Sequence, residues 1–523
     1  MTNDRTIHPI EPIGPRLVPR VVLGIVLALA LLAGIVFWFV DNARAADEQR
    51  KRNAAEAATK AQVCGPGVVK VAGSDECVGV SDGGYRFLLG DPTIDSDLGH
   101  LQDLIADQNT AIKTARHITI AYALPMPWRD LGTLAKISVL HQLAGAWAAQ
   151  AAANAGPTAL KVRLEIANFG HDGVAWQPVL AGLTTPANPV DVVVGLGQSI
   201  DNTYLLAGGL AQAGRPMVGA MVTADDLNGH TFANLYRIGP TNTQQVTAAI
   251  AYLQGTFHQS ALNRVNGVYV IASGSPQDKY VINLTKAFKQ AVPHAVTLTY
   301  DGQAPGSSQA LEAYATTMCS AHPTAVYFAA RAAQLQYFVQ QVGAHCDSRM
   351  PLTVVTGDDA AALTNSDDAT FTKTLRASAL TLIYTAIGFP RAPRYPGAKG
   401  GDTPPLLADL SRQLKPANIA TDLTDGSAMS AFDAVKLAID AATFVIRQLP
   451  PGTSAGNLVN GFAQFNRSTP FCGATGPVAL VTDDGPLRGD AYEKPVPVLR
   501  LMPGAATSLK LLYTSTDNPL PHC

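Results

Sequence analysis

The chain has 523 residues, with 38 basic and 40 acidic side chains and a formal net charge of −2. This near balance excludes a polybasic nucleic-acid-binding protein as the first interpretation, because such proteins concentrate lysine and arginine. Since 47% of the residues are hydrophobic and only 15% are charged, an intrinsically disordered chain is excluded as well. At ~100–200 residues per domain, the length suffices for two to four compact units.

The N-terminal region predicts a single membrane span, a signal anchor. Residues Val21–Val40 contain no charged side chain, and a helix of this length, at ~1.5 Å per residue, crosses the ~30 Å hydrocarbon core of a bilayer. We expect residues 1–20 to form a cytoplasmic tail and residues 41–63 a helical juxtamembrane stalk. A cleaved signal peptide is the alternative, because Ala43-Arg44-Ala45 resembles a cleavage site.

The cysteines favour an extracytoplasmic C-terminal region. All of them follow the span, and their even number permits three disulfides; they are Cys64, Cys77, Cys319, Cys346, Cys472 and Cys523. We expect sequence neighbours to pair (Cys64–Cys77, Cys319–Cys346, Cys472–Cys523), although counting alone leaves every other pairing open. Disulfides indicate an oxidising compartment, whereas buried free thiols in a cytosolic domain are the alternative. The basic residues after the span point the other way under the positive-inside rule. No zinc-like cysteine or histidine spacing occurs, so we expect neither a metal site nor a cofactor.

From about residue 117 onward, apolar strand-like runs alternate with helical patterns, which is typical of a parallel α/β sheet. About four such units precede a break near 240–265, and four more follow it, so the sequence predicts two α/β lobes. We expect a bilobed domain over 117–523, preceded by an N-terminal extension over 64–116. The first lobe covers about 117–245 and the second about 265–390, and each is completed by a late segment. Predicted strands are 118–124, 162–166, 190–195, 216–221, 267–272, 296–300, 325–329 and 352–356. Predicted helices are 131–154, 205–213, 278–291, 309–320, 332–345 and 431–448.

Several fragments, in their order along the chain, resemble the type I periplasmic-binding-protein family, in particular the branched-chain amino-acid receptors of ABC importers. They are Val190–Gly195 followed by Gln198-Ser199, Arg215–Val218 leading to Thr223, Leu235–Ile238, Gly267–Ile271 with Gln277–Tyr280, and Gly473–Val481. The resemblance implies two Rossmann-like lobes that close around a small solute. Residues 1–116 lie outside it, and Ile35 stands where a lipid-anchored receptor would have its acceptor cysteine.

The resemblance also implies which groups hold the carboxylate of an amino-acid ligand. In this family, hydroxyl and N–H groups of the first lobe bind the α-carboxylate. Ser199 and Thr223 follow predicted strands and match this role, with a plain helix cap as the alternative. Arg331 would suit an anionic group of the ligand, and a surface arginine is the alternative.

An acidic side chain, often from the second lobe, holds the ligand's ammonium group in this family. Asp358 and Asp359 follow the strand-like run 352–356 and match this position, although aspartate is also common in turns after strands. Tyr280 would cover the ligand from the second lobe, or else contribute only to packing.

We found no convincing catalytic constellation and therefore expect no enzyme activity. Gly79–Gly83 matches G-x-S-x-G, but it falls in a glycine-rich turn before the strand-like Tyr85–Leu89 and lacks the strand–turn–helix context of a nucleophile elbow. The sequence thus predicts a membrane-anchored, extracytoplasmic solute-binding protein. It would capture a small polar solute, such as an amino acid or amide, for the permease subunits of an ABC importer. The alternative is a ligand-sensing or scaffold ectodomain of the same fold that signals to a membrane partner.

Overall fold

The computed structural model contains two seven-stranded sheets with helices on both faces. It describes residues 64–71, 74–126, 133–157, 160–187, 189–392, 405–419, 421–448, 458–502 and 510–515. The predicted tail, membrane span and stalk, and also Cys523, lie outside these residues. Within them, no helix is both long and apolar enough to cross a membrane.

The first sheet has the order β1-β2-β4-β3-β5-β6-β7. Its strands are β1 (Val68–Lys70), β2 (Cys77–Ser81), β3 (His117–Leu124), β4 (Lys161–Asn168), β5 (Val192–Gly195), β6 (Met217–Gly219) and β7 (Leu235–Arg237). The five neighbouring strands β4, β3, β5, β6 and β7 are parallel. At one edge of the sheet, β2 pairs antiparallel with β4, and β1 pairs antiparallel with β2. Residues 64–116, which we expected to form an extension before the bilobed domain, therefore begin its first sheet. The strand predicted at Tyr85–Leu89 is absent from the structure, because those residues form irregular backbone after β2.

The second sheet has the order β16-β15-β12-β11-β10-β8-β9, and a separate hairpin pairs β13 with β14. The five neighbouring strands β12, β11, β10, β8 and β9 are parallel, and β15 and β16 are antiparallel to their neighbours. Their bounds are β8 (Val268–Ser273), β9 (Val296–Tyr300), β10 (Ala325–Ala329), β11 (Leu352–Thr356), β12 (Leu380–Thr385), β13 (Phe471–Gly473), β14 (Gly476–Val478), β15 (Val496–Leu501) and β16 (Lys510–Ser515).

The helices cover the sheets, so the central strands are apolar on both faces, as parallel sheets require. The α-helices are α1 (Pro92–Ala111), α2 (Thr133–Ala155), α3 (Trp176–Thr184), α4 (Asp201–Gln212), α5 (Asn242–Thr256), α6 (Gln259–Asn263), α7 (Lys279–Ala291), α8 (Ser307–Ala321), α9 (Ala332–His345), α10 (Ala369–Ala377), α11 (Pro405–Leu414), α12 (Ser427–Gln448) and α13 (Leu458–Phe462). Among the residues that the structure describes, three short 3-10 helices span His171–Gly173, Asp358–Asn365 and Leu423–Asp425.

The described elements cross between the two sheets at three places. The chain passes from β7 to α5, which packs on the second sheet, returns after β12 to α12, which packs on α2, and crosses again before β15. The first crossing is defined by a capping box at α5: Thr241 Oγ1 accepts the N–H of Gln244, and Gln244 Oε1 accepts the N–H of Thr241. Close packing of α2 on α12 depends on Gly145, where an added Cβ would overlap the carbonyl oxygen of Ala428.

The described cysteines are all disulfide-bonded. Cys319 in α8 pairs with Cys346 at the end of α9, as the pairing of sequence neighbours predicts. The pairs Cys64–Cys77 and Cys472–Cys523 stay predictions.

Candidate functional site

Two predicted site residues meet at the carboxyl ends of β5 and β6, which are adjacent parallel strands. Ser199 and Thr223 are both buried, with 2% and 1% of their surface exposed. Ser199 Oγ accepts the N–H groups of Thr223 at 3.1 Å and of Ala224 at 3.2 Å. The cap of α4 is Ile200, with no side-chain hydrogen bond, so Ser199 is not a helix cap. Its hydroxyl oxygen instead binds the loop after β6, which contains Thr223 and Ala224. The hydroxyl proton takes no part in these two bonds and can be donated to another group.

The backbone that leads to Ser199 is strained. Gly195, Leu196 and Gly197 all have positive φ, at 99°, 67° and 66°. Leu196 is fully buried, and a bulky residue in the left-handed region is unusual and is held there only by its surroundings. These three residues turn the chain sharply after β5 and bring Ser199 back over the end of β6.

The second sheet contributes an ion-pair network around Arg331. The guanidinium binds Asp278 through two bonds, Nε to Oδ2 at 2.8 Å and Nη2 to Oδ1 at 2.9 Å. A third bond joins Nη1 to Asp359 Oδ1 at 3.1 Å. Burial lowers the pKa of Arg331, but the two carboxylates raise it more, so the net pKa lies above the ordinary value. The sequence predicted that Arg331 binds an anionic ligand group or lies at the surface. In the structure it is paired with two carboxylates of its own lobe.

Asp359 and Tyr280 complete this network. Asp359 Oδ2 accepts the N–H of Ala332 at 2.6 Å, so this carboxylate also binds the first turn of α9. The Tyr280 hydroxyl accepts the N–H of Asp359 at 3.1 Å, and the Arg331 guanidinium lies 4.6 Å from the centre of the tyrosine ring. Burial, followed by the charges of Asp358 and Asp359, raises the pKa of Tyr280 well above its ordinary value. The tyrosine therefore stays neutral at physiological pH.

Asp358 has a different partner from its neighbour. Its Oδ1 accepts Gln245 Nε2 at 2.7 Å, and its N–H donates to Gln245 Oε1 at 3.0 Å. Thr385 Oγ1 also donates to Gln245 Oε1, at 2.7 Å. Burial raises the pKa of Asp358 to about 6, opposed by the Gln245 hydrogen bond and reinforced by the charge of Asp359. Asp358 is thus paired with a neutral amide, whereas Asp359 is paired with a cation.

The two lobes meet directly at this site. The N–H of Tyr280 donates to the carbonyl oxygen of Ser199 at 3.1 Å, and Asn242 Nδ2 donates to the carbonyl oxygen of Tyr280 at 2.9 Å. The N–H of Asn242, the first residue of α5, donates to the carbonyl oxygen of Thr223 at 2.7 Å. The structure therefore brings all six predicted residues into one connected group that spans the carboxyl ends of both sheets.

Sequence reasoning missed Asp278 and Gln245 of this group, and also Asn242, which binds Thr223 and Tyr280. Asp278 was recognisable as a residue before a helix, and it does cap α7 by accepting the N–H of Val281 at 3.3 Å. Its ion pair with Arg331, 53 residues away, had no local signal. Gln245 lies in a helix of the first crossing, and its fully buried amide was likewise indistinguishable from a surface residue in the sequence.

A buried arginine binds the loop after β6 that contains Thr223, here named the Thr223 loop. Arg237 in β7 is fully buried and donates through Nη1 to the carbonyl oxygen of Ala224 at 2.5 Å and through Nη2 to that of Asp225 at 3.2 Å. Asp490 Oδ1, in the late segment, accepts its Nε at 2.8 Å and its Nη2 at 2.7 Å. Burial raises the pKa of Asp490 to about 6, although Arg237 opposes the rise.

A second polar group, here named the hinge cluster, consists of His141, Asp425 and Asn365. Asp425 Oδ2 lies 2.6 Å from His141 Nδ1 and accepts Asn365 Nδ2 at 3.2 Å. Burial lowers the pKa of His141, but the charge and hydrogen bond of Asp425 raise it more, so the net pKa lies above the ordinary value. Asn365 ends the 3-10 helix that begins at Asp358, so this cluster lies one short helix away from the site.

The G-x-S-x-G segment forms a turn away from this group. Ser81 ends β2, its hydroxyl donates to the carbonyl oxygen of Tyr85 at 2.8 Å, and it accepts the N–H groups of Gly83 and Tyr85. The serine is therefore engaged in stabilising a turn.

The sequence matches no protein-family model, and a search of curated proteins also found no match. Solved structures with a similar fold include an ABC transporter substrate-binding protein from Desulfitobacterium hafniense in complex with leucine (TM-score 0.54, 18% identity, covering 76% of this chain and 100% of that one). A possible leucine/isoleucine/valine-binding protein from Rhodopirellula baltica is similar at a TM-score of 0.56 and 16% identity, over 76% of this chain and 97% of that one. A solute-binding protein of an ABC transporter from R. palustris, in complex with 4-hydroxybenzoate, gives 0.55 and 14%, over 77% and 98%.

These likenesses establish the fold. The chain has the mixed α/β, two-sheet architecture of the type I periplasmic binding proteins, as its sequence fragments predict. The similar proteins are solute-binding proteins that bind amino acids or aromatic acids.

Proposed function

We propose that this protein is a membrane-anchored, extracytoplasmic solute-binding protein that encloses a small, amino-acid-like solute between its two lobes. One observation carries the proposal: Ser199 and Thr223 of the first sheet meet Tyr280 and the acidic network of the second at one junction. A zwitterion that leaves water needs partners for both of its charges, since an unpaired buried charge costs several kcal/mol. Hydroxyl and N–H groups on one side and carboxylates on the other supply such partners.

The charges of the second lobe favour an ammonium group. Asp278, Asp358 and Asp359 carry three negative charges when ionised, and Arg331 carries one positive charge, which leaves this network at −2. Because Asp359 already binds Arg331 while Asp358 binds the neutral Gln245, we assign Asp358 as the main partner of the ammonium. Ser199, whose hydroxyl proton is not used to bind Thr223 or Ala224, is assigned to the carboxylate.

The sequence and the cysteines support the proposed location, and the similar structures support the proposed partner. An apolar N-terminal segment, Val21–Val40, would anchor the chain, and the Cys319–Cys346 disulfide supports an oxidising compartment. The similar structures come from ABC transporters, so we propose delivery of the solute to permease subunits. Proteins of this kind have no chemistry of their own, and we propose none here.

A thermal-shift screen of the full-length protein in detergent tests this function, with L-amino acids, their amides and hydroxybenzoates as probes. A solute at about 100 times its Kd stabilises a folded protein by about 2.7 kcal/mol, so a binder should raise Tm measurably. Ser199→Ala and Asp358→Asn should each abolish the shift, whereas Asp347→Asn, at an exposed ion pair, should leave it unchanged. No shift with any probe, or equal shifts in all variants, would contradict the proposal.

Crosslinking in native membranes separates delivery from sensing. Recovery of permease subunits with this protein supports the importer role. Recovery of a signalling protein without permease subunits would instead favour the sensing ectodomain.

A further inference from the structure

The hinge cluster joins three parts of the fold that are far apart in the sequence. His141 lies in α2 of the first lobe, Asp425 lies two residues before α12, and Asn365 ends a 3-10 helix of the second lobe. His141 Nδ1 lies 2.6 Å from Asp425 Oδ2, and only 5% and 2% of the two side chains are exposed. The other oxygen, Asp425 Oδ1, accepts the N–H of Ser427, the first residue of α12, at 2.9 Å. One buried carboxylate therefore binds α2, the start of α12 and the second lobe.

Among the groups that bind Asp425, only His141 can carry a positive charge. Asn365 and the N–H of Ser427 are neutral donors, and no lysine or arginine of the described residues forms an ion pair with this carboxylate. A buried carboxylate without a cation is costly. Because the carboxylate accepts, Nδ1 carries a hydrogen in both states of the imidazole, and the second proton is taken up at Nε2. Protonation thus supplies the missing cation and leaves the Nδ1–Oδ2 hydrogen bond in place.

Two further titratable groups face this pair. Asp422 binds the N–H and the hydroxyl of Thr424, and its negative charge also favours the protonated state of His141. Tyr384 of β12 has a fully buried hydroxyl with no hydrogen-bond partner among the described residues. Burial, followed by the charges of Asp425 and Asp422, raises the pKa of Tyr384, so the phenol stays neutral.

The charged groups on the other elements packed against α2 interact with one another. The charge of Lys136, in α2 itself, acts on Asp95 of α1. In α11, Asp409 Oδ1 lies 2.7 Å from Arg412 Nη2, and the first turn of α12 contains no charged side chain. The proton on His141 is therefore governed by the two aspartates of segment 422–425.

We propose that His141 and Asp425 form a proton-dependent clamp, which binds α2 to the chain segment before α12 more strongly in acidic than in alkaline surroundings. The clamp makes the stability of the crossing between the lobes depend on the pH of the compartment. It goes beyond the proposed function and does not depend on any solute.

The sign of the pH dependence follows from the two states of His141. Burial lowers its pKa and Asp425 raises it more, so the folded-state pKa lies above the ordinary value of 6.5. The folded protein therefore binds this proton more tightly than the unfolded chain does. The resulting stability is fully present below the unfolded pKa and is lost as the pH rises through the folded pKa.

Titration of the histidine side chains by NMR, in the full-length protein in detergent, tests the clamp. The His141 signal is identified by its loss in His141→Gln, or in the neutral pair His141→Gln with Asp425→Asn if the single variant does not fold. Its midpoint should lie above 6.5. In Asp425→Asn the midpoint should be lower than in the unmodified protein, because burial then acts without the opposing charge. A midpoint at or below 6.5 in the unmodified protein, or one that Asp425→Asn does not lower, would overturn the clamp.

Thermal unfolding measures the consequence for stability. The Tm of the unmodified protein should exceed that of His141→Gln by more at about pH 5.5 than at about pH 9. His258→Gln, at an exposed histidine, is the matched control, and its difference from the unmodified protein should stay constant. A difference for His141→Gln that stays constant or widens with rising pH would also overturn the clamp. Since neither measurement uses a solute, failure of the clamp and failure of solute binding are distinguished.

Discussion

The buried ion pair between Arg237 and Asp490 gives the sharpest test of how the Thr223 loop is held. The change is Arg237→Met, which keeps the length of the side chain and removes its charge and donors. It leaves Asp490 as a buried carboxylate without its cation and frees the carbonyl oxygens of Ala224 and Asp225 from the guanidinium. Removal of one member of a buried pair destabilises proteins by about 3–5 kcal/mol, because the remaining charge is not compensated.

A second substitution isolates the charge contribution. Asp490→Leu in the Arg237→Met background removes the stranded carboxylate, so the double variant should be more stable than the sum of the two single effects predicts, by on the order of 2 kcal/mol.

The stability that Arg237→Met loses should also depend on pH, with a defined sign. The folded-state pKa of Asp490 is raised to about 6, and loss of Arg237 raises it further. Arg237→Met therefore loses additional stability as the pH rises through this range. Its loss of unfolding free energy, relative to the unmodified protein, is smaller at about pH 5 than at about pH 8.

Urea unfolding, followed by tryptophan fluorescence at both pH values, measures these free energies. Arg349→Met is the control, because this arginine is 88% exposed and pairs with the exposed Asp347, so its loss should have no measurable effect. A deficit of less than about 1 kcal/mol for Arg237→Met, or strict additivity in the double variant, would refute the argument that a buried, uncompensated charge sets the loss.

Three further outcomes follow from the structure. Replacement of Cys319 and Cys346 by serine should lower the free energy of unfolding by ~3–4 kcal/mol, the loop-entropy value for a crosslink across 27 residues, and an unchanged urea midpoint would contradict this. Gly145→Ala should destabilise the chain by about 1–3 kcal/mol because its added Cβ meets backbone, whereas Gly255→Ala in α5, with open space around it, should be neutral or stabilising in the same unfolding assay. If leucine binds, its affinity should fall about tenfold from about pH 7.5 to about pH 5, because Asp358, with a pKa of about 6, must be ionised to hold the ammonium; calorimetry at the two pH values measures this ratio, and equal affinities would contradict the assignment of Asp358.

The strands of the second lobe were the most predictable part of the fold. The predicted bounds 325–329 and 352–356 coincide with β10 and β11, because central parallel strands are covered on both faces and appear as short uninterrupted apolar runs. The predicted bounds 296–300 also coincide with β9, although β9 is an edge strand with one buried residue. The edge of the first sheet was not predicted. β1 has three residues, with two exposed, so it carries neither an apolar run nor enough length for a periodic pattern.

The candidate site was likewise only partly predictable from the sequence. Ser199, Thr223, Asp358 and Asp359 could be found because polar residues just after parallel strands gather at one edge of a sheet. Their partners could not be found, since pairing across the lobes depends on how the loops fold back. Asp358 and Gln245 are 113 residues apart, and no local pattern connects them.

The 3-10 helix Asp358–Asn365 connects the candidate site to the hinge cluster. Its first residue binds Gln245 at the base of α5, and its last residue binds Asp425 beside His141 of α2. Because α5 packs on the second sheet, the Asp358–Gln245 bond lies within the second lobe, so movement of that lobe away from α2 must break the Asn365–Asp425 bond or separate Asp425 from His141. Opening of the lobes therefore perturbs the hinge cluster, which the 3-10 helix connects to the assigned ammonium partner.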